Sequence, residues 1–128
     1  MPQRLLVTWQ KNAQTNEWFD FLRLDLNTPY FVGKKGVYVI WLASGQKNPV
    51  IKVGSGNLAE NFRNLRANPL VIQYSNSGQL KVSWIAVNGV LQEDQMDGVE
   101  AFLCRVYSPI LVDKKQPVEE IAVNKIGE

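Results

Sequence analysis

The sequence predicts an α+β fold in which a small, mainly antiparallel β-sheet of about three central strands is flanked by helices. Segments 36–42 (GVYVIWL), 50–53 (VIKV) and 80–87 (LKVSWIAV) are rich in β-branched and aromatic residues, as strands are. Segments 57–67 and 93–107 repeat apolar residues at helical spacing. The chain has 128 residues, 45% of them hydrophobic, so we expect a single globular domain.

The strongest strand signal is 36–42, whose unbroken apolar run indicates burial on both faces. A loop at 43–49 separates it from 50–53, which predicts an antiparallel hairpin closed by more than two residues. Gly54-Ser55-Gly56 is expected to end the second strand. Segment 80–87 alternates well enough to be a half-buried third strand of the same sheet.

Two helices are predicted to cover this sheet. Asn57 can cap the first helix, with Glu60 three residues later, and Asn68-Pro69 stops it. The second helix begins among acidic residues near Glu93 and ends at Ser108-Pro109. Apolar stripes support both helices: Leu58, Phe62 and Leu65 in the first, and Met96, Val99, Leu103 and Val106 in the second.

The other segments give weaker signals. Segment 4–9 is short and rich in β-favouring residues, and 18–26 fits either a strand or a helical face. Segment 70–74 is short and apolar, and 121–124 is expected to form an edge strand.

Composition excludes several classes of chemistry. Histidine is absent, which removes Ser-His-Asp and Cys-His catalysis and histidine-ligated zinc. The single cysteine, Cys104, cannot form an internal disulfide and lies in an apolar stretch typical of a buried thiol. No apolar run approaches the roughly 20 residues that cross a bilayer, and no secretion signal is evident, so we expect a cytoplasmic protein. A net charge of +2 is too mild to identify an anionic partner.

The order of hairpin, helix, strand and helix carries a family resemblance. Gly36-Val37-Tyr38 opens the first strand, and Lys52-Val53-Gly54 closes the second. Glu100, followed by Tyr107-Ser108-Pro109, is similar to a helical glutamate a fixed distance before a proline. Together these elements resemble the GIY-YIG nuclease family over about residues 33–113. In a single domain spanning the chain, the residues outside that range would be extensions.

The resemblance implies a GIY-YIG-like endonuclease domain, a hydrolase that cleaves phosphodiester bonds of DNA with Mg²⁺ or Mn²⁺. Tyr38 would be the nucleophile or base, and Glu100 would hold the cation that stabilises the leaving oxygen. Each residue also has an ordinary structural interpretation. Tyr38 fits a core aromatic of a buried strand, and Glu100 fits a carboxylate at the boundary of a helix's apolar stripe.

Departures from the family pattern favour an alternative function. Lys52 stands where the family has a tyrosine, and Asn61 stands where it has an arginine. Arg63 is the candidate replacement, although two residues along a helix rotate it by about 200°. The family's asparagine after the proline is missing, with Asp113 or Asn124 as substitutes. The alternative is an inactive relative that serves as a nucleic-acid-binding or protein-interaction module.

Basic residues near the hairpin and the first helix form a candidate DNA-binding surface. Lys34, Lys35 and Arg66 are assigned to it, beside Lys52 and Arg63 of the catalytic set. Scattered basic residues of this kind equally fit an ordinary solvated face. A third interpretation, in which the likeness is accidental, would be favoured if 36–54 did not form a hairpin.

Overall fold

The computed structural model describes residues 4–44, 47–88, 90–113 and 116–127. Its strands are β1 (Phe19–Asp20), β2 (Lys35–Ala43), β3 (Val50–Asn57) and β4 (Gln79–Ala86). Its α-helices are α1 (Leu58–Arg66), α2 (Pro69–Ile72) and α3 (Met96–Tyr107). Short 3-10 turns lie at Pro29–Phe31, Gln73–Asn76 and Glu93–Gln95. The protein is thus an α+β fold, with an antiparallel sheet in the order β1-β4-β2-β3 flanked by helices.

The predicted hairpin is confirmed, because β2 and β3 pair antiparallel with Val39 opposite Val53. Gly45 and Gln46 of its loop lie outside the described residues. The expectation that Gly54-Ser55-Gly56 ends the second strand is wrong. The ladder continues until Asn57 pairs with Lys35, because β2 begins early enough to provide partners.

The third predicted strand is also confirmed: β4 pairs antiparallel with β2 on the side away from β3. The ambiguous segment 18–26 contributes only the two residues of β1, which pair with β4. The sheet therefore has four strands rather than three, although β1 is minimal.

The two faces of the sheet carry two buried clusters. On one face α1 packs Leu58 and Phe62 against Ile40 and Trp84. On the other face α3 packs Val99 and Leu103 within the second cluster. Burial on both faces explains why β2 lacks the alternation typical of a half-exposed strand.

Both predicted helices form where their stop and start signals indicate. The Asn57 side chain accepts a hydrogen bond from the Glu60 backbone N–H at 3.0 Å, as an N-cap should. Before α3, Glu93–Gln95 forms a single 3-10 turn, and α3 ends at Ser108 in the left-handed conformation.

The chain after α3 covers the outer edge of β3. The backbone N–H groups of Ile110 and Leu111 donate to the carbonyls of Val50 and Ile51 at 3.0 and 2.9 Å. These hydrogen bonds place Asp113 close to Lys52 of β3.

The terminal segments meet on the α3 side of the sheet. Leu5 and Val123 form one isolated parallel bridge, so the edge strand expected at 121–124 is reduced to a single pair. The Asn124 side chain accepts from the Val7 N–H at 2.7 Å, which gives Asn124 a structural role distant from the hairpin motifs. In the parts of the chain described, no helix is long and apolar enough to cross a membrane.

Candidate functional site at the edge of the sheet

Tyr38 is placed by the glycine opposite it. Tyr38 pairs with Gly54 across the β2–β3 ladder, and its ring packs edge-on against Phe62 of α1 at 5.2 Å between centroids. A Cβ atom at Gly54 would overlap the Tyr38 hydroxyl and Cζ, and Cε2 would lie 2.9 Å away. The missing side chain therefore lets the ring lie across β3 and bring its hydroxyl to the edge of the sheet.

The Tyr38 hydroxyl faces Asn61 and is kept neutral. It donates to Asn61 Oδ1 at 3.4 Å, and Asn61 Nδ2 donates to the Asn57 carbonyl at 2.6 Å, which fixes the amide. Tyr38 is only 2% exposed. Burial raises the pKa of this hydroxyl well above its ordinary value, and the carboxylates of Glu100 and Asp113 raise it further. Ionisation to a tyrosinate is thus disfavoured.

Lys52 lies on the same face of the hairpin as Tyr38, two residue pairs further along, opposite Ile40. Its Nζ donates to Asp113 Oδ2 at 2.5 Å. The two side chains differ in exposure, 9% for Lys52 and 67% for Asp113. The structure therefore joins the residue at the second motif to the segment that follows α3.

Glu100 reaches the same edge from α3. It is 4% exposed, and its Oε1 accepts a hydrogen bond from Ser55 Oγ at 2.5 Å. Ser55 belongs to the stretch that was expected to end β3, so the sequence did not predict its contact with Glu100.

The carboxylates of Glu100 and Asp113 make contacts within the chain, and Mg²⁺ binding at Glu100 stays a prediction. Mg²⁺ requires near-octahedral oxygen ligation with several retained waters. One Glu100 oxygen is engaged by Ser55, and the neighbouring Asp113 carboxylate is paired with Lys52. In the described ranges no group of three acidic, cysteine or histidine side chains is placed to hold a metal ion.

The candidate arginines do not reach this site. Arg63 Nη2 donates to the Leu26 carbonyl at 3.2 Å and to Asn27 Oδ1 at 3.0 Å. Arg66 donates to the carbonyl of Phe21, with Nη2 at 2.7 Å. Arg63 therefore points away from Asn61, as helix geometry predicted. The structure thus gives no support to Arg63 as a catalytic partner of Tyr38.

The basic residues assigned to DNA binding contact other parts of the chain. Lys34 lies over the Tyr30 ring at 4.8 Å, and Lys35 pairs with Glu93 at 2.6 Å. Arg66 is committed to backbone carbonyls of the 21–24 segment. Among the basic residues predicted to carry function, Lys52 lines a pocket together with Tyr38.

A pocket of about 480 Å³ opens between α1 and the segment after α3, and we call it the edge pocket. It is lined by Tyr38, Lys52, Asn61, Asn64, Leu65, Asn68, Leu70, Ile110, Leu111, Val112 and Asp113. A second cavity of about 580 Å³ contains Glu100 and shares Val112 and Asp113 with it. Asp113 therefore lines both cavities and links Lys52 of the edge pocket to the cavity that contains Glu100.

Three asparagines of the edge pocket were not predicted as functional. Asn61, Asn64 and Asn68 are spaced by three and four residues, so they share one side of α1 and its C-terminal extension. The same helical spacing includes Asn57, so the sequence alone could have indicated a row of asparagines on one side of the helix. Two of the four are also helix caps, which hides the pattern.

Comparison of the chain with models of protein families, with curated proteins and with solved structures gives no match. The resemblance to the GIY-YIG family therefore stays a prediction from the motif residues and their order.

Proposed function

We propose that this chain is an inactive relative of the GIY-YIG nucleases that binds nucleic acid at the edge pocket without cleaving it. The observation that carries the proposal is the contact between Tyr38 and α1. The side chain that meets the Tyr38 hydroxyl is the neutral amide of Asn61, and Arg63 points to the 26–27 segment instead.

Two features of the pocket oppose phosphodiester hydrolysis. Attack by Tyr38, or by water that it activates, requires a proton to leave the hydroxyl, and burial raises the pKa of that group. Charge that develops on phosphate also needs a nearby cation. Across the described residues, the cation of the pocket is Lys52, and Asp113 already neutralises it.

The same pocket retains groups that suit binding. Lys52 supplies a positive charge for phosphate, and the amides of Asn61 and Asn64 offer both donors and acceptors. Few cations take part, so binding should be weak, tolerant of sequence and sensitive to salt.

Cleavage is tested on supercoiled plasmid and on linear and branched DNA with Mg²⁺ or Mn²⁺. We expect wild-type protein to leave all three intact. Nicking that requires the divalent ion, and that is lost in a folded Glu100→Gln variant, would refute the inactive assignment.

Binding is tested by fluorescence anisotropy with labelled single-stranded and duplex DNA at low and moderate salt. Lys52→Gln should weaken binding, whereas Lys47→Gln, the same charge change at an exposed residue outside the edge pocket, should have only a small effect. Absence of binding even at low salt would reject nucleic acid and favour the protein-interaction alternative.

A further inference from the structure

We infer that the Asp113 carboxylate competes with a phosphate group of single-stranded nucleic acid for binding to Lys52. The inference rests on the proposed function and adds to it the form of the ligand and a means of control. The edge pocket would accept the phosphate when the Lys52–Asp113 ion pair separates.

Lys52 is the partner that needs an anion. A lysine ammonium carries three N–H donors, and within the described ranges Asp113 is its one hydrogen-bond acceptor. A cation with a side chain only 9% exposed is costly without an opposite charge. An incoming phosphate, with several acceptor oxygens, can satisfy more of these donors than one carboxylate oxygen does.

Asp113 is the partner that can leave. Its side chain is 67% exposed, so water can replace Lys52 around the carboxylate. Among the described residues of this segment, Ile110 and Leu111 donate backbone hydrogen bonds to β3, and Asp113 lies beyond them. Lys52 and Asp113 can therefore separate without breaking the hydrogen bonds that Ile110 and Leu111 make to β3.

The surroundings of Lys52 fit one unit of a single strand better than a duplex. A pocket of about 480 Å³ has the size of a small-molecule site. Its polar side carries Asn61, Asn64 and Asn68, and amides of this type can pair with exposed base edges. Leu70 and Ile110 are exposed at the pocket and offer an apolar surface to a base.

The test compares Asp113→Asn with Glu120→Gln. Both variants remove one negative charge and free one cation, but Glu120 pairs with Arg105, outside the edge pocket. Anisotropy with a labelled single-stranded oligonucleotide at low salt should show Asp113→Asn binding about tenfold tighter than wild type. Its plot of log affinity against log salt should be steeper by about one. Adding Lys52→Gln to Asp113→Asn should abolish the gain.

A second measurement separates competition from a general charge effect. Asp113→Asn leaves Lys52 with an amide in place of an anion, so inorganic pyrophosphate should raise the melting temperature of this variant more than that of wild type. A matching rise in Glu120→Gln would overturn the inference.

The outcomes distinguish the two proposals. If wild type binds DNA but Asp113→Asn and Glu120→Gln bind equally, the competition is refuted and the proposed function stands. If neither wild type nor Asp113→Asn binds DNA, but pyrophosphate stabilises Asp113→Asn selectively, competition at Lys52 holds for phosphate and nucleic acid is rejected as the ligand. Preference of Asp113→Asn for duplex over single strand would overturn the assignment of the ligand's form.

Discussion

Replacing Gly54 by alanine should displace Tyr38 and destabilise the fold. The new Cβ would overlap the Tyr38 hydroxyl and Cζ and approach Cε2 to 2.9 Å. The ring cannot easily retreat, because it is 2% exposed and packs on Phe62. Overpacking of a filled core costs roughly 1–3 kcal/mol. For a chain of this size, that loss lowers the melting temperature by about 4 °C per kcal/mol.

The clash can be isolated with a double-mutant cycle on Tyr38. In a Tyr38→Leu background the colliding ring atoms are gone, and Gly54→Ala should become neutral or stabilise by about 0.4–1 kcal/mol through the unfolded chain. Urea unfolding of all four proteins gives the coupling energy. An equal cost of Gly54→Ala in both backgrounds would refute the placement of the Tyr38 ring over Gly54.

Two further predictions concern the buried polar groups. Ser55→Ala should destabilise the protein by roughly 1–2 kcal/mol at neutral pH, and by less in a Glu100→Gln background, because the buried carboxylate loses the hydrogen bond from Ser55 Oγ. Equal losses in urea unfolding would contradict this. Because the pKa of Tyr38 is raised on folding, stability relative to Tyr38→Phe should be constant below pH of about 10 and fall above it by about 1.4 kcal/mol per pH unit. Urea unfolding of both proteins across this range checks the sign, and a difference that grows in favour of wild type would refute it.

Local signals were sufficient to predict the main elements. The β-branched run of 36–42 and the short run of 50–53 specify a hairpin because both strands are rich in residues that pack on a pleated surface. Asn57 was predictable as a cap because its side chain acts within three residues of itself. The position of Arg63 also followed from local geometry, since helical rotation alone carries it away from Asn61.

Contacts between distant segments were not predictable in the same way. Lys52 and Asp113 are brought together only because the chain after α3 hydrogen-bonds along β3. Ser55 meets Glu100 because β3 runs past its expected end. Neither contact leaves a pattern within one segment, and the glycines on both sides of Ser55 suggest a turn rather than a strand.

The replacements at the site have a common physical consequence if the family resemblance holds. In the family pattern the cation comes from α1 and the second motif supplies a phenol; here α1 supplies the Asn61 amide and β3 supplies the Lys52 cation. Both arrangements place one positive charge beside Tyr38, so attraction for phosphate can survive the exchange. Proton chemistry does not survive as easily, because the Tyr38 hydroxyl is buried and burial raises its pKa, which disfavours loss of its proton. Moving the charge from helix to strand would therefore separate phosphate binding from phosphodiester cleavage, with Asp113 positioned to control access to the charge.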